Sequence, residues 1–190
     1  MTRPDAPELV QPAAALWAPF VEALRECRAD SDRADIWLGL RSAAPDAPQW
    51  GEEVLADVDR FAAFVDSQVR AAAEDAPRPA GYVPVTVLWW VAEGRLIGRV
   101  SIRHRLTPFL REVGGHIGYV VRPSARRRGH ATAMLAAALS HAAALGLEQV
   151  LVTCDHDNVG SRKAIEANGG LAEDRRGDKL RYWIATGIQA

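Results

Sequence analysis

Three consecutive arginines followed at once by a glycine are the residues of this chain best suited to binding an anion. They lie in Arg126–Ala131 (RRRGHA), directly before a stretch with helical patterning. The first N–H groups of a helix have no intrahelical acceptor, and the helix dipole adds partial positive charge there. Gly129 and Ala131 let the backbone approach phosphate oxygens, and arginines add charge-assisted bonds. The pattern predicts a phosphate site, with a solvated basic turn as the alternative.

The neighbouring elements indicate how this segment is held. Residues 115–121 (GHIGYVV) read as a strand, residues 129–145 as a helix and residues 149–155 (QVLVTCD) as a buried strand. A strand–helix–strand crossover requires the two strands to be parallel if they are neighbours. Asn158 is suited to cap a further short helix that runs to about Ala167.

The rest of the chain supplies two amphipathic helices and two hairpins. The predicted elements are a strand at 8–10, a helix near 16–24 that starts at about Pro19, a loop at 41–50, a helix at 52–73, a hairpin at 84–92 and 95–105 that turns at Glu93–Gly94, and a last hairpin at 171–174 and 180–184. The order β-α-α-β-β-β-α-β-α-β-β predicts an α/β (α+β) fold. Its mixed, mostly antiparallel central sheet has about 6–7 strands with helices on both faces.

Composition limits the partners and the compartment. The 190 residues, 48% of them hydrophobic, fit one domain, and a net charge of −1 gives no general attraction to nucleic acid or membrane. Two cysteines, Cys27 and Cys154, do not make a disulfide framework, and the histidines lack metal-ligand spacing. The N-terminus has no apolar signal segment and no stretch is long enough to span a membrane, so we expect a cytoplasmic protein.

Two signatures together resemble the GNAT acetyltransferase superfamily. The first is [RQ]-x-x-G-x-[GA] after a strand ending in V-x-P, which here is Val121-Arg122-Pro123 followed by Arg126–Ala131. The second is an Asn shortly after the next strand with Ala or Ser three residues later, here Asn158 and Ser161. The signatures and the order of elements match this superfamily specifically over residues 84–186, whereas residues 1–83 are merely compatible with it. This resemblance implies a single acetyltransferase domain over 1–190, whose residues 1–83 face the acceptor and whose residues 84–186 bind acetyl-CoA.

The resemblance implies transfer of an acetyl group from acetyl-CoA, as co-substrate, to a primary amine by direct attack. The diphosphate would lie on the helix N-terminus, with Arg127 and Arg128 as the principal side-chain contacts. The pantetheine arm would pair with the end of strand 115–121, and an N–H near Tyr119 or Val120 would polarise the acetyl carbonyl. The residues implied for the co-substrate are Tyr119, Val120, Val121, Arg126, Arg127, Arg128, Gly129, His130, Ala131, Asn158 and Ser161.

Proton transfer has several candidate residues. An alkylammonium has a pKa near ~10.4, so freeing its lone pair at pH 7 needs a base or a chain of waters. His116 is the first candidate base and Glu112 the second, although His116 could instead merely pack or hydrogen-bond on the sheet. Many relatives have a tyrosine acid where this chain has Ile165, which cannot donate a proton. The substitutes for that acid would be Tyr119, Tyr182 or Cys154.

Other functions and the acceptor stay open at this level. A non-catalytic acetyl-CoA sensor of the same fold and an RNA-binding domain using the arginines are the competing functions, the latter disfavoured by the neutral charge. The expected partner is a small-molecule or peptide amine, with no nucleic acid, membrane or metal, and a homodimer is possible. Trp37 and Trp50 could line one wall of the acceptor site. Arg103–Arg105 could favour an acidic acceptor, although a solvated strand edge explains them equally well.

Overall fold

The computed structural model describes residues 6–30 and 50–187, which build one seven-stranded sheet covered by helices. The strand order is β1-β2-β3-β4-β5-β7-β6. The strands are β1 (Glu8–Val10), β2 (Val85–Ala92), β3 (Arg95–Arg103), β4 (Ile117–Val121), β5 (Gln149–Asp155), β6 (Leu171–Arg176) and β7 (Lys179–Ala185). The helices are α1 (Trp17–Asp30), α2 (Glu52–Leu55), α3 (Val58–Arg70), α4 (Pro108–Glu112), α5 (His130–Ala144) and α6 (Val159–Ala167), with 3₁₀ turns at Ala14–Leu16 and Pro123–Ala125.

The sheet is mixed, as the sequence predicts. β4 and β5 are parallel and joined through α5, whereas all other strand pairs are antiparallel. The β2–β3 hairpin turns at Glu93 and Gly94, which both have positive φ angles of 52° and 69°. Two successive left-handed residues match the twist of a tight hairpin.

Apolar side chains alternate between the two faces of the sheet and form two cores. Helices α5 and α6 cover the first face, and α1 and α3 cover the second. Trp90 lies in the first core and Trp89 in the second, as expected of adjacent residues on a strand. In the second core, the rings of Phe20 and Trp89 have centroids 5.1 Å apart. The two cores hold the sheet between two helical layers, and this packing fixes the positions of β4 and β5 on which the site is built.

Several local predictions need correction. The predicted helix at 52–73 is broken into α2 and α3, because the Asp57 side chain accepts hydrogen bonds from the amides of Asp59 and Arg60 and starts a new helix. α1 begins at Trp17 rather than near Pro19. Helix α4 was not predicted, although Thr107 caps it and Pro108 occupies its first position.

Trp37 and all of the predicted loop at 41–50 except Trp50 lie outside the described residues.

Within residues 6–30 and 50–187, no helix combines the length and apolar character needed to cross a bilayer.

Candidate active site

The predicted phosphate loop connects β4 to α5 and has an unusual backbone. Arg127 and Gly129 both have left-handed φ angles, 64° and 80°. The first hydrogen bond of the helix runs from the Ala133 N–H to the Gly129 carbonyl at 3.1 Å. The amides of residues 130–132 therefore have no intrahelical acceptor. A Cβ added at Gly129 would meet nothing within 4 Å, so the loop faces open space and its amides can approach an anion.

Acidic side chains of α1 hold the start of this loop. Glu26 accepts hydrogen bonds from the Arg122 guanidinium and from the Ser124 amide and hydroxyl. Glu22 pairs with the same arginine at 2.6 Å, and Arg122 is only 2% exposed. Asp30 pairs with Arg126 at 2.9 Å. The three carboxylates are four residues apart, so they lie on one face of α1.

This pairing divides the basic residues of the loop into two groups. Arg122 and Arg126 are engaged by carboxylates, whereas Arg127 and Arg128 are exposed and have no ion pair within the described part of the chain. The His130 ring accepts a hydrogen bond from the Trp90 indole N–H at 3.2 Å, and burial together with Arg128 lowers its pKa. Arg128 and His130 line a surface cavity beside the loop. The guanidinium groups left for an anionic ligand are those of Arg127 and Arg128.

Strands β4 and β5 separate immediately after they pair. Ile117 is in register with Val152, and no later residue of β4 is in register with β5, both strands being fully described. The Arg103 N–H bonds to the His116 carbonyl at 2.8 Å, and the Arg122 N–H bonds to the Ile97 carbonyl at 2.9 Å. Even-numbered residues of β4 thus direct their backbone groups to β3, and odd-numbered residues direct theirs to the opening.

This alternation decides between the two amides predicted to polarise the acetyl carbonyl. The Tyr119 amide faces the opening between β4 and β5. The Val120 amide belongs to the β3–β4 ladder opposite Arg99, so the prediction for that amide needs correction. The Val121 backbone also faces the open side, where its carbonyl accepts from the Arg126 side chain at 3.3 Å. The free edge of β4 at Tyr119 and Val121 can pair with an extended amide chain.

The second signature lies across the opening from β4. The Asn158 side chain accepts from the Ser161 amide at 3.0 Å and caps α6. The Tyr119 hydroxyl is 2.7 Å from the Ser161 hydroxyl, which ties β4 to the start of α6. Burial raises the pKa of Tyr119 to about 12. A phenol with that pKa is a poor proton donor to a thiolate, whose conjugate acid has a pKa near ~8.5.

His116 does not have the environment of a general base. Its Nδ1 accepts the Leu151 N–H at 2.9 Å, so the neutral ring carries its proton on Nε2 and has no lone pair left for an amine. The side chain is buried, and burial followed by the charges of Arg111 and Arg103 lowers its pKa to about 4. The geometry favours the alternative in which His116 connects β4 to β5.

Glu112 is held in a surface ion pair. It ends α4 and contacts Arg176 of β6, with both side chains about half exposed. Arg176 also pairs with Asp174 at 2.9 Å. The contact joins α4 to the end of β6, so the Glu112 carboxylate is engaged by a guanidinium.

The residues considered as substitutes for a tyrosine acid are buried. Ile165 is fully buried in the first core, together with Cys154 and Tyr182. Burial raises the pKa of the Cys154 thiol and of the Tyr182 phenol. A raised pKa makes each of them a weaker acid, so this arrangement favours departure of the thiol as a thiolate.

Sequence reasoning missed two features of this region. The sequence analysis did not connect the carboxylates of α1 with the loop before α5, although their spacing of four residues is visible in the sequence. The buried polar positions of β3 on the second face, Arg99 and Ser101, were hidden within a strand read as apolar.

Comparison with known proteins agrees with this architecture. The family model described as "Acetyltransferase (GNAT) domain" matches residues 23–170. A search of curated proteins gave no significant match.

Solved structures share the fold at low sequence identity. Mycobacterium smegmatis RimJ, in complex with CoA-disulfide, has a TM-score of 0.64 at 19% identity over 94% of this chain and 81% of its own. The microcin C7 self-immunity acetyltransferase MccE, in complex with acetyl-CoA and AMP, has a TM-score of 0.61 at 13% identity over 95% and 93%. The ribosomal L7/L12 alpha-N-protein acetyltransferase RimL, in complex with coenzyme A, has a TM-score of 0.59 at 16% identity over 94% and 93%.

Proposed function

The chain belongs to the GNAT acetyltransferase family and is an acetyl-CoA-dependent acyltransferase, and we propose that its acceptor is a primary amine that attacks the thioester directly. The observation that carries the proposal is the free edge of β4 at Tyr119, which ends at the open loop before α5. One extended ligand with amides at one end and linked phosphates at the other fits this continuous surface.

The residues around the opening have complementary roles in this proposal. The amides of residues 129–132 and the side chains of Arg127 and Arg128 bind the diphosphate. The backbone of Tyr119 and Val121 pairs with the pantetheine arm, and Asn158 and Ser161 border its other side. The Tyr119 amide donates to the acetyl oxygen as negative charge develops on it. The whole chain acts as one domain, with residues 1–83 on the acceptor side and 84–186 holding the co-substrate.

The chemical step requires no acid from the protein. The amine nitrogen forms a bond to the thioester carbonyl carbon, the carbon–sulfur bond breaks, and coenzyme A leaves as a thiolate. The proton lost by the amine passes to solvent, because His116 has no free lone pair and Glu112 is bound to Arg176. The rate should therefore follow the fraction of acceptor that is unprotonated.

Small-molecule amines and peptide amines are both candidate acceptors. The name of RimL specifies an alpha-N-protein acetyltransferase, and MccE was solved in complex with acetyl-CoA and AMP. Both classes offer a primary amine that can approach the second face of the sheet. The competing function, an acetyl-CoA sensor without turnover, would follow only if departure of the thiol needed the tyrosine acid that this chain replaces by the apolar Ile165.

One assay separates the two candidates. The protein is mixed with acetyl-CoA and a panel of amines, and free thiol is followed with a chromogenic disulfide, in parallel with thermal melts. Amine-dependent thiol release is the expected result. A melt raised by acetyl-CoA without thiol release from any amine would instead establish the sensor. Replacement of both Arg127 and Arg128 by Gln should weaken acetyl-CoA binding in either case, whereas Arg60→Gln, on the exposed side of α3, should not.

A further inference from the structure

Polar and charged side chains interrupt the second face of the sheet next to the β4–β5 opening. Arg99, Ser101 and Arg103 alternate along β3 toward this face. Ser101 is in register with Gly118 of β4, and Arg103 continues the same register to His116. All of these residues lie on the side covered by α1 and α3, whereas α5 and α6 cover the other side. An acceptor bound on this side would lie against the half-buried members of this row, Arg103 and Gly118, next to the Tyr119 amide.

Arg103 is half-buried, and no carboxylate neutralises its charge among the residues that the structure describes. Its guanidinium donates to the carbonyls of Gly114 and Gly115, each at 3.1 Å. Burial lowers the pKa of Arg103. The buried Arg122 and Arg181 each contact two carboxylates, whereas the buried Arg99 of the same strand contacts the Gln68 side-chain oxygen at 3.2 Å. A desolvated cation without a counter-charge is costly, and an anionic ligand would offset that cost.

Gly118 places no side chain of β4 against this arginine. A Cβ added at Gly118 would lie 3.4 Å from the Ser101 hydroxyl and 3.8 Å from a terminal nitrogen of Arg103. These are ordinary contact distances, so the fold does not require glycine there for steric reasons. Gly118 directly precedes Tyr119, whose amide faces the opening. A group bound to Arg103 and Ser101 in front of Gly118 would thus lie about one residue spacing along the strand, ~3.8 Å, from Tyr119, whose amide faces the acetyl group.

We propose that the acceptor carries a carboxylate a few bonds from its amine, and that Arg103 and Ser101 bind this carboxylate in the space in front of Gly118. The proposal rests on the amine acetyltransfer proposed above and names the class of amine. The guanidinium nitrogens of Arg103 match the oxygens of a carboxylate, and the Ser101 hydroxyl, which donates to the Gly118 carbonyl at 3.3 Å in the free protein, adds a donor when it turns to the ligand. The amine then faces the β4–β5 opening, where the C–N bond forms, the C–S bond breaks and the ammonium proton is lost to solvent. The carboxylate itself is unchanged by the reaction.

Matched acceptors and variants test this proposal. The acceptors are free amino acids, the corresponding amino acid amides, and short peptide amides with or without an acidic second residue. The main variant is Arg103→Gln. The control is Arg105→Gln, which removes an exposed arginine two residues away that pairs with Glu74. We expect Arg103→Gln to lower kcat/KM for the carboxylate acceptors by about 10- to 100-fold and to leave the amides unchanged. Arg103→Lys should restore part of the loss, because it keeps the charge.

The outcomes distinguish this inference from the function on which it rests. Thiol release that is equal for acids and amides, and unaffected by Arg103→Gln, would overturn the carboxylate site and leave amine acetylation standing. No thiol release from any amine would overturn both. Preference for free amino acids over acidic peptides, or the reverse, identifies the source of the carboxylate. Should Arg103→Gln fold poorly, Gly118→Ala provides the second test, with a raised KM for carboxylate acceptors and an unchanged KM for acetyl-CoA.

Discussion

Replacing Glu26 by Gln tests whether α1 positions the loop that binds acetyl-CoA. The carboxylate joins α1 to the end of β4 through Arg122 and Ser124, and Arg122 is almost fully buried. Removing one partner of a buried ion pair costs about 3–5 kcal/mol. Glu22 still contacts Arg122, and the Glu26 side chain is 24% exposed, so we expect about 2 kcal/mol here. For a chain of this size that loss lowers Tm by roughly 4–8 °C.

The same substitution should weaken acetyl-CoA binding without any direct contact to it. Ser124 and Arg126 lose part of the framework that orders the loop before the helix, so more conformational entropy is lost when a ligand binds. The measurements are a thermal melt and KM for acetyl-CoA, with the acceptor saturating. Glu148→Gln is the control, because that residue is an exposed acid whose side chain makes no hydrogen bond or ion pair within the described chain. A variant whose Tm lies within about 1 °C of the wild type, with unchanged KM, would refute the argument.

The acidity of Glu26 adds a dependence on pH. Burial alone would raise its pKa, but hydrogen bonds from Arg122 and Ser124 outweigh that effect and hold the pKa below its ordinary value. A depressed folded-state pKa contributes stability that is complete above the unfolded pKa of about 4.3 and is lost as pH falls through the folded value. Glu26→Gln should therefore cost more stability at neutral pH than below pH ~4.

Three further predictions concern the strands and the second signature. His116→Asn keeps an acceptor for the Leu151 N–H, so activity should fall by much less than the ~10²–10⁴-fold expected for a lost general base, and log kcat/KM should rise with pH toward the pKa of the amine in both proteins. Gly98→Ala places a Cβ 2.7 Å from the Val120 carbonyl and should cost about 1–3 kcal/mol by urea denaturation, whereas Gly51→Ala, in open space, should not. Asn158→Ala removes the cap of α6 and should cost ~1 kcal/mol with a raised KM for acetyl-CoA.

Periodicity and the two signatures predicted the second half of the chain well. The strand Gln149–Asp155 was predicted at its observed bounds, and α5 within one residue at each end. These elements have long apolar patterns, and glycines or polar caps mark their ends. The break at Asp57 was missed because the apolar pattern continues through it, and the cap is visible only as a side-chain acceptor for the next amides.

The roles of single residues in the site depend on contacts between segments that lie far apart in the sequence, which local patterns do not reveal. The bonding of His116 involves Leu151, 35 residues away, and that of Arg122 involves Glu26, 96 residues away. A histidine near neutral pH is a reasonable candidate base until its environment is known. Here the Leu151 N–H of β5 occupies the lone pair on Nδ1 of His116. The residue type alone therefore predicted a general base that these contacts do not support.

The contacts of α1 connect the two halves of the proposed site. One face of α1 contributes Phe20 and Leu24 to the core beneath the second face of the sheet, where the acceptor is proposed to bind. Another face contributes Glu22, Glu26 and Asp30 to the loop that precedes α5. A change in the packing of α1 therefore reaches both the acceptor side and the phosphate loop. This arrangement explains why acidic residues far from the signature can belong to the machinery that binds the co-substrate.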